Sequence, residues 1–433
     1  QDHDDEAFRA WVRAQLVEES RSNHEALDAL LSCTRYIAVD LADSATMAAL
    51  LAPWQGRACV SYLAIPPHLF IPSCEGLQAA GLLSAPSRLV LEKPIGHDLA
   101  SSRLINAKLR SFLDESRIFR IDHYLGKAPV QNLLALRFGN TLMEAVWHKR
   151  WIESVDILVA ETAGVDGREA YYAQYGALRD MVQNHMLQLL ALIAMEPPGS
   201  LDADSLRDEK RKVLRALRPM TPADVAVDSV RGRYRPGVVD GRAVPGFDHG
   251  SDAETFVALR ARIDNWRWAG VPFRLITGKR LAQRTTEVVV SFKPVSHWLF
   301  DRPPASGAAP NRLLMQLQPE ENIKLELMGS LAAPEWGGTQ LQPLSLDLSM
   351  AATPMRRIAY ERLLLDALHG NQALFVTGDE VEAAWSWIDS ISEAWKAVGQ
   401  STQDYPAGSW GPAGAADFLP VTVAASRRPV ENP

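Results

Sequence analysis

Within the run Arg120-Ile121-Asp122-His123-Tyr124-Leu125-Gly126-Lys127, a carboxylate, an imidazole, a phenol and an ammonium fall close together in the chain. That set suits a phosphorylated, hydroxylated small molecule better than a core or a random surface. His123, Tyr124 and Lys127 can donate hydrogen bonds to phosphate oxygens, and Asp122 can hold a histidine in one tautomer. A second run, Arg179-Asp180-Met181-Val182-Gln183-Asn184-His185, supplies such a histidine inside a helical pattern. Together the two runs read as a general-base dyad beside a phosphate clamp. The plain alternatives are a buried helix histidine bonded to a nearby carbonyl, and a solvated polar turn.

The surrounding pattern must position these groups. A strand over Arg117–Ile121 delivers Asp122 and His123 at its carboxyl end, where open α/β sheets place ligands. His123, Tyr124 and Lys127 converge only on a strand-to-helix turn, and a helix starting there adds backbone N–H donors for an anion. Upstream, the pattern predicts an amphipathic helix over 5–19, with Phe8, Val12 and Leu16 on one face. It also predicts strands at Tyr36–Asp40, Ala58–Ile65 and Arg88–Glu92, alternating with helices at Ala45–Leu51 and Leu69–Gly81. Short apolar strands alternating with helices indicate a parallel α/β layer.

From about Ala128 the character changes. A helix is expected over Val182–Met195. Thr286–Lys293 reads as a strand with Val288, Val290 and Phe292 facing away from Val289 and Ser291. Asn311–Gln318 and Asn322–Met328 read as a hairpin about Pro319-Glu320-Glu321, with a further strand at Leu341–Ser349. Gly232–Gly250 and Pro303–Pro310 read as loops, and Trp266, Trp268, Trp385 and Trp387 as packing residues. The expected fold class is therefore α/β plus α+β: an incomplete Rossmann-like parallel-sheet domain over 1–122, then a larger α+β domain over 123–433 with a mainly antiparallel sheet.

The 433 residues, 47% hydrophobic and 22% charged, describe a chain with a large core. A net charge of −7 and a pI near 5.9 argue against nucleic acid as the main partner. Cys33, Cys59 and Cys74 have no metal-site spacing and indicate a reduced cytoplasmic setting. No apolar run approaches the roughly 20 residues of a membrane helix, and the acidic opening residues are not a signal peptide. The chain opens on Gln1 rather than methionine, so further residues are expected before it.

Several ordered segments carry a resemblance. They are Tyr62-Leu63-Ala64-Ile65-Pro66-Pro67, Glu92-Lys93-Pro94-Ile95-Gly96, the Arg120–Lys127 run, and Gly176-Ala177-Leu178 leading into Arg179–His185. Further on come Ile263-Asp264-Asn265-Trp266-Arg267-Trp268, Gly278-Lys279-Arg280 and Tyr405-Pro406-Ala407-Gly408-Ser409-Trp410-Gly411-Pro412. Over nearly its whole length the chain resembles the bacterial type of glucose-6-phosphate dehydrogenase. The glycine-rich nucleotide loop at that family's amino terminus has no counterpart in the sequence. On this ground two parallel strands and an arginine for the 2′-phosphate are expected to be missing, and NADP binding by this chain is expected to be poor.

The resemblance implies an oxidoreductase of the pentose phosphate pathway, oxidising glucose 6-phosphate at C1 to 6-phosphogluconolactone with hydride transfer to NADP, or to NAD. It implies His185 as the base with Asp122 behind it. It implies His123, Tyr124, Lys127, Lys279 and Arg284 toward the sugar phosphate, and Glu161, Asp180 and Gln318 toward the sugar. Lys93 would stand between substrate and cofactor, before a proline of the kind that adopts the cis isomer. Ala64, Ile65 and Pro66 would line the nicotinamide pocket. No metal is required, since base and cofactor account for both transferred particles. A homodimer or homotetramer is implied, with no nucleic-acid or membrane partner. The rival readings are a non-catalytic sugar-phosphate-binding relative that has lost its nucleotide unit, and a dehydrogenase of another phosphosugar. Bland readings of the same residues are an Asp180–Arg179 ion pair, a solvated basic rim at Lys279 and Arg284, and a plain strand-ending Lys-Pro.

Overall fold

The computed structural model describes residues 4–16, 24–247, 252–299, 311–331, 340–348 and 358–426. It divides into two compact units, Gln1–Leu89 with Ala107–Ile118, and Val90–Asn106 with Phe119–Pro433. In chain order the first elements are α1 (Asp5–Leu16), α2 (His24–Cys33), α3 (Ser44–Leu51), β1 (Val60–Leu63), α4 (Phe70–Ala79), β2 (Arg88–Leu91), α5 (Leu99–Phe112) and β3 (Ile118–Arg120). The three strands form a parallel sheet in the order β1-β2-β3, as the α/β alternation predicts. The Asp43 carboxylate caps α3 by accepting the Thr46 N–H at 3.1 Å.

One expected strand is absent: residues 36–40 form no strand. The Tyr36 N–H donates to the Asp5 carboxylate at 2.7 Å and its ring packs on Phe8 at 5.1 Å. A side-chain acceptor thus takes the donor that a sheet neighbour would have used.

The larger unit continues with α6 (Ala128–Phe138), α7 (Thr141–Val146), β4 (Ile152–Ala160), α8 (Glu169–Ala177), a π-helical segment (Leu178–Met186), α9 (Leu187–Ala194), α10 (Ala203–Arg215) and α11 (Pro222–Asp228). Strands β5 (Ser229–Arg235), β6 (Gly237–Val239), β7 (Arg242–Val244), β8 (Phe256–Ala261), β9 (Phe273–Gly278), β10 (Thr285–Phe292), β11 (Arg312–Gln318), β12 (Asn322–Leu331) and β13 (Gln340–Asp347) follow. Helices α12 (Ala359–His369) and α13 (Gly378–Val398), strand β14 (Gln403–Pro406) and helix α14 (Val421–Ser426) complete it. Nine strands form one sheet, ordered β13-β12-β11-β10-β4-β9-β8-β5-β14. The β11–β12 hairpin about residues 319–321 is present, with Leu313 opposite Leu325. Most pairs are antiparallel, but β4–β9 and β5–β14 are parallel, so the sheet is mixed.

The strand expected over 286–293 is present as β10, and Val288, Val289 and Val290 are all fully buried, because it is a central strand covered on both faces. Three further readings are corrected. The loop expected from Gly232 contains the end of β5 and the β6–β7 hairpin, while 248–250 and 303–310 lie outside the described residues. The helix expected over Val182–Met195 is π-helical in its first part. Trp266 is 93% exposed, whereas Trp268, Trp385 and Trp387 are buried as expected.

Helix α13 is the spine of this unit. Thr377 and Glu380 form a capping box at its start, and Gly399 closes it in the left-handed conformation. Its indole N–H groups reach across the unit. Trp385 donates to the Ile95 carbonyl at 2.9 Å, and Trp395 to the Ser229 hydroxyl at 2.8 Å. Glu380 is fully buried and pairs with the equally buried Lys210 ammonium of α10 at 2.8 Å. Replacing Lys210 by Met leaves a buried carboxylate unpaired, at a cost of about 3–5 kcal/mol. Urea denaturation monitored by tryptophan fluorescence checks this; an unchanged midpoint refutes the assigned weight of the pair.

Candidate active site

β3 runs into Ile121, whose N–H donates to the Leu91 carbonyl at 2.9 Å, and the chain then turns through 122–127 before α6 begins. Successive turn bonds, Leu125 N–H to Asp122 O at 3.1 Å and Lys127 N–H to Tyr124 O at 3.1 Å, fold this run back on itself. The turn brings Asp122, His123, Tyr124 and Lys127 together, as the strand-to-helix reading requires.

His185 arrives from the π-helical segment. Gly176, at φ +66, breaks the preceding helix in a conformation that side chains rarely adopt. The Glu254 backbone carbonyl accepts the Ala177 N–H at 2.8 Å, and its carboxylate accepts the Leu178 N–H at 3.1 Å. A π-helix bonds i to i+5, so Asp180 and His185 lie one turn apart and reach the same region. There Nδ1 of His185 and Oδ1 of Asp122 are 2.6 Å apart, with both side chains almost wholly buried.

His123, Tyr124 and Lys127 pack around this pair. The Tyr124 ring stacks on His185 at 4.4 Å, and the His123 ring meets it edge-on at 4.5 Å. The Tyr124 hydroxyl hydrogen-bonds Thr286, and burial pushes its pKa up. Nζ of Lys127 sits 4.1 Å from the Tyr124 ring centre, and this buried ammonium has no hydrogen-bond partner among the described residues. Burial pushes the Lys127 pKa down to about 8. Burial opposes ionisation of Asp122, but the charge and hydrogen bond of His185 outweigh it and hold the carboxyl below its usual range.

Four of the other candidates fall into two ion pairs. Lys93, preceding a cis proline at 94, donates to the Asp180 carboxylate at 2.8 Å and to its carbonyl at 2.9 Å. Asp180 is therefore paired with Lys93 rather than with Arg179, which donates to the His97 carbonyl at 3.1 Å. Burial works against the Asp180 carboxylate, but Lys93, with Lys279 and Arg168, brings its pKa to about 2. Lys279 pairs with Glu161. These two residues follow the parallel strands β9 and β4, whose last paired residues are Gly278 and Ala160, so the carboxyl ends lie side by side. Gln318 accepts from the Thr286 hydroxyl at 3.3 Å, and Arg284 is exposed on the approach to β10. In the smaller unit, Ala64 and Pro66 are exposed and Ile65 is half-buried, just past the carboxyl end of β1.

Sequence reasoning passed over Tyr360, Tyr171 and Arg168. Tyr360 of α12 lies flat against His123, with centroids 5.8 Å apart and planes 14° apart, and hydrogen-bonds Glu92. The Tyr171 hydroxyl lies 3.3 Å from the Asp180 carboxylate, and Arg168 lies 3.8 Å from it. No spacing in the chain signals these contacts, because Tyr360 comes from α12 while Arg168 and Tyr171 come from the start of α8. Asp122, His123 and His185 bring ligand-type atoms within 4.8 Å of one another. Within this group Asp122 and His185 are joined by the 2.6 Å hydrogen bond.

The chain matches two family models: "Glucose-6-phosphate dehydrogenase, NAD binding domain" over residues 1–132, and "Glucose-6-phosphate dehydrogenase, C-terminal domain" over 134–424. It belongs to the glucose-6-phosphate dehydrogenase family. It is 46% identical over 429 residues to a glucose-6-phosphate 1-dehydrogenase of Zymomonas mobilis, covering 96% of this chain and 88% of the relative. It is 47% identical to that of Mycolicibacterium smegmatis, covering 96% and 87%. Among solved structures, a glucose-6-phosphate dehydrogenase in complex with glucose 6-phosphate matches with a TM-score of 0.84 at 32% identity, covering all of this chain and 90% of that one. The enzyme of Mycobacterium avium matches with a TM-score of 0.83 at 35% identity, with the same coverage. The NAD-binding-domain match over 1–132 does not support the expectation of a chain stripped of the family's nucleotide-binding segment. The reading as a non-catalytic remnant, and with it the expected poor NADP binding, loses its premise.

No helix among the described residues is long and apolar enough to cross a membrane.

Burial, followed by the neighbouring His185 charge, pushes the His123 pKa down to about 4. The unfolded chain then binds more protons than the folded one between that value and the ordinary histidine range, so His123 makes stability fall as pH drops through this window. Histidine-selective NMR should show the His123 ring neutral and flat in shift from pH 8 to 6. An inflection near 6.5 contradicts the assigned burial.

Proposed function

We propose that this protein oxidises glucose 6-phosphate at C1 to 6-phosphogluconolactone, the first oxidative step of the pentose phosphate pathway, with NADP as the preferred acceptor. The observation that carries the reading is the short, buried Asp122–His185 hydrogen bond, enclosed by His123, Tyr124 and an unpartnered Lys127 ammonium in a chain of this family. A dyad alone would serve many reactions. A dyad beside a buried ammonium with no hydrogen-bond partner among the described residues suits an alcohol that carries a phosphate.

In this reading His185 is the general base. Its Nδ1 is held by Asp122, which leaves Nε2 to take the proton of the C1 hydroxyl, and the carboxylate stabilises the imidazolium that forms. Lys127, His123 and Tyr124 bind the phosphate, assisted by Lys279 and by Arg284 at the rim. An ammonium that finds no acceptor in the protein gains most from phosphate oxygens. Glu161, Asp180 and Gln318 read sugar hydroxyls, and the two carboxylates are paired with Lys279 and Lys93.

The residues present also fit a nicotinamide dinucleotide. Ala64, Ile65 and Pro66 present backbone and apolar surface past the carboxyl end of a parallel strand, where such sheets receive nucleotides. The chemistry supplied by that group, when bound, is acceptance of the hydride. Lys93 orients the reacting alcohol. The division into a nucleotide-binding part before residue 122 and a sugar-phosphate and dimerisation part after it belongs to the same proposal. A homodimer or homotetramer through the large sheet is supported by Leu344 and Leu346, which stand exposed on its β13 edge. A cytoplasmic setting is consistent with three free cysteines.

Replacing His185 by Asn should lower kcat by about 10²–10⁴-fold, the range of a lost general base, while glucose 6-phosphate still binds within a few-fold of its normal affinity. Near-normal turnover refutes the role. The ammonium of Lys127 loses its proton as pH rises through about 8. Affinity for the sugar phosphate should therefore fall above that pH, and Lys127→Gln should bind more weakly and with a flat profile there. Calorimetric titrations at pH 7 and 9 check this; parallel profiles for the two proteins contradict it.

A further inference from the structure

A cavity of about 660 Å³ lies within the larger unit between α6 and α12. Leu134 and Phe138 of α6, Pro198, Leu206 of α10 and Leu374 give it an apolar wall. Its charged lining groups are Arg362 and Asp366, one turn apart on α12. The Asp366 carboxylate already accepts a hydrogen bond from Asn371 at 3.0 Å. The half-buried Arg362 guanidinium makes no ion pair or hydrogen bond with another described residue. None of these groups belongs to the dyad, the clamp or the sugar-reading carboxylates. The volume is that of small-molecule sites, which are mostly apolar with a few placed polar groups.

Both walls lead to the clamp. Gln131 lines the cavity, and its side-chain amide donates to the Leu125 carbonyl at 2.7 Å, inside the Asp122–Lys127 turn. α6 itself starts immediately after Lys127. On the other wall, Arg362 is two residues from Tyr360, whose ring lies against His123. The Ala359 backbone presses on Gly126 so closely that a Cβ there would lie 2.9 Å from the Ala359 carbonyl oxygen. A ligand wedged between α6 and α12 therefore acts on two segments that touch the turn directly.

We infer that this cavity is an effector site for an amphipathic anion, an apolar body bearing one carboxylate or sulfonate, and that its occupancy is coupled to sugar-phosphate affinity at the clamp. Arg362 takes the anionic group and the leucine and phenylalanine side chains take the body. The binding arm stands by itself; the coupling arm rests on the clamp reading proposed above. Coupling of this kind is reciprocal, so each ligand changes the other's affinity by the same factor.

The test uses the full chain with 1-anilinonaphthalene-8-sulfonate as probe, read by fluorescence and calorimetry. The expected result is one saturable site per chain. Arg362→Gln weakens it about tenfold, as for loss of one charge-assisted hydrogen bond. Ala373→Trp, which fills the cavity from its lining, abolishes it. Saturating glucose 6-phosphate shifts the probe's Kd by about fivefold or more. A Kd indifferent to both substitutions overturns the site. A probe that responds to the substitutions but not to a sugar phosphate whose own binding is confirmed calorimetrically overturns the coupling. Failure of glucose 6-phosphate to bind at all overturns the clamp reading instead and leaves the binding arm to the two variants.

Discussion

The Asp122–His185 hydrogen bond sets the tolerance for everything around it. At 2.6 Å between two side chains that are almost fully buried, it leaves no room for a water-filled compromise. A carboxylate taken out of water this completely is stable only with a partner in contact. Two segments 63 residues apart in sequence must therefore be delivered to within a fraction of an ångström. The delivery is made by rigid parts: the turn leaving β3 on one side, and the π-helical segment fixed by Glu254 at its first N–H groups on the other. Glu254 is itself neutralised by Arg231 at 3.0 Å, so the anchor of the anchor is also an ion pair.

Charge is handled throughout the site by pairing rather than by exposure. Asp180 is matched with Lys93, Glu161 with Lys279, and Asp122 with His185, while Lys127 has no hydrogen-bond partner among the described residues. That asymmetry leaves the carboxylates compensated and one buried ammonium lying over the Tyr124 ring. The Lys279–Glu161 pair arises from topology, since only parallel neighbours end their carboxyl termini on the same edge of a sheet. A fully antiparallel sheet would have separated the two residues by the length of a strand.

The turn over 122–127 is braced by both α6 and α12. Gln131 holds the Leu125 carbonyl, and Tyr360 covers His123. Any change in the position of either helix therefore reaches the turn through a direct contact.

Local order was largely legible in the sequence. The β11–β12 hairpin, helices α3 and α4, and the strands at 60–63, 88–91 and 118–120 are short-range patterns fixed by periodicity and by turn residues. The pairing of Asp122 with His185 was readable because the residue types in two quoted runs suit one chemistry. The π-helical segment was not, since a shift from i+4 to i+5 bonding leaves the apolar spacing almost unchanged. Tyr36–Asp40 has strand composition, yet it lost its ladder partner to the Asp5 carboxylate. Trp266 carries the same side chain as Trp268 and lies in solvent, because position in the turn decides which of the two meets the core. By itself, the sequence determined the chemical inventory and the local elements, both of which depend on neighbours in the chain. Which carboxylate meets which ammonium, which tyrosine covers His123, and which ammonium is left unpartnered were decided by tertiary structure, because those energies belong to contacts between residues that the sequence keeps far apart.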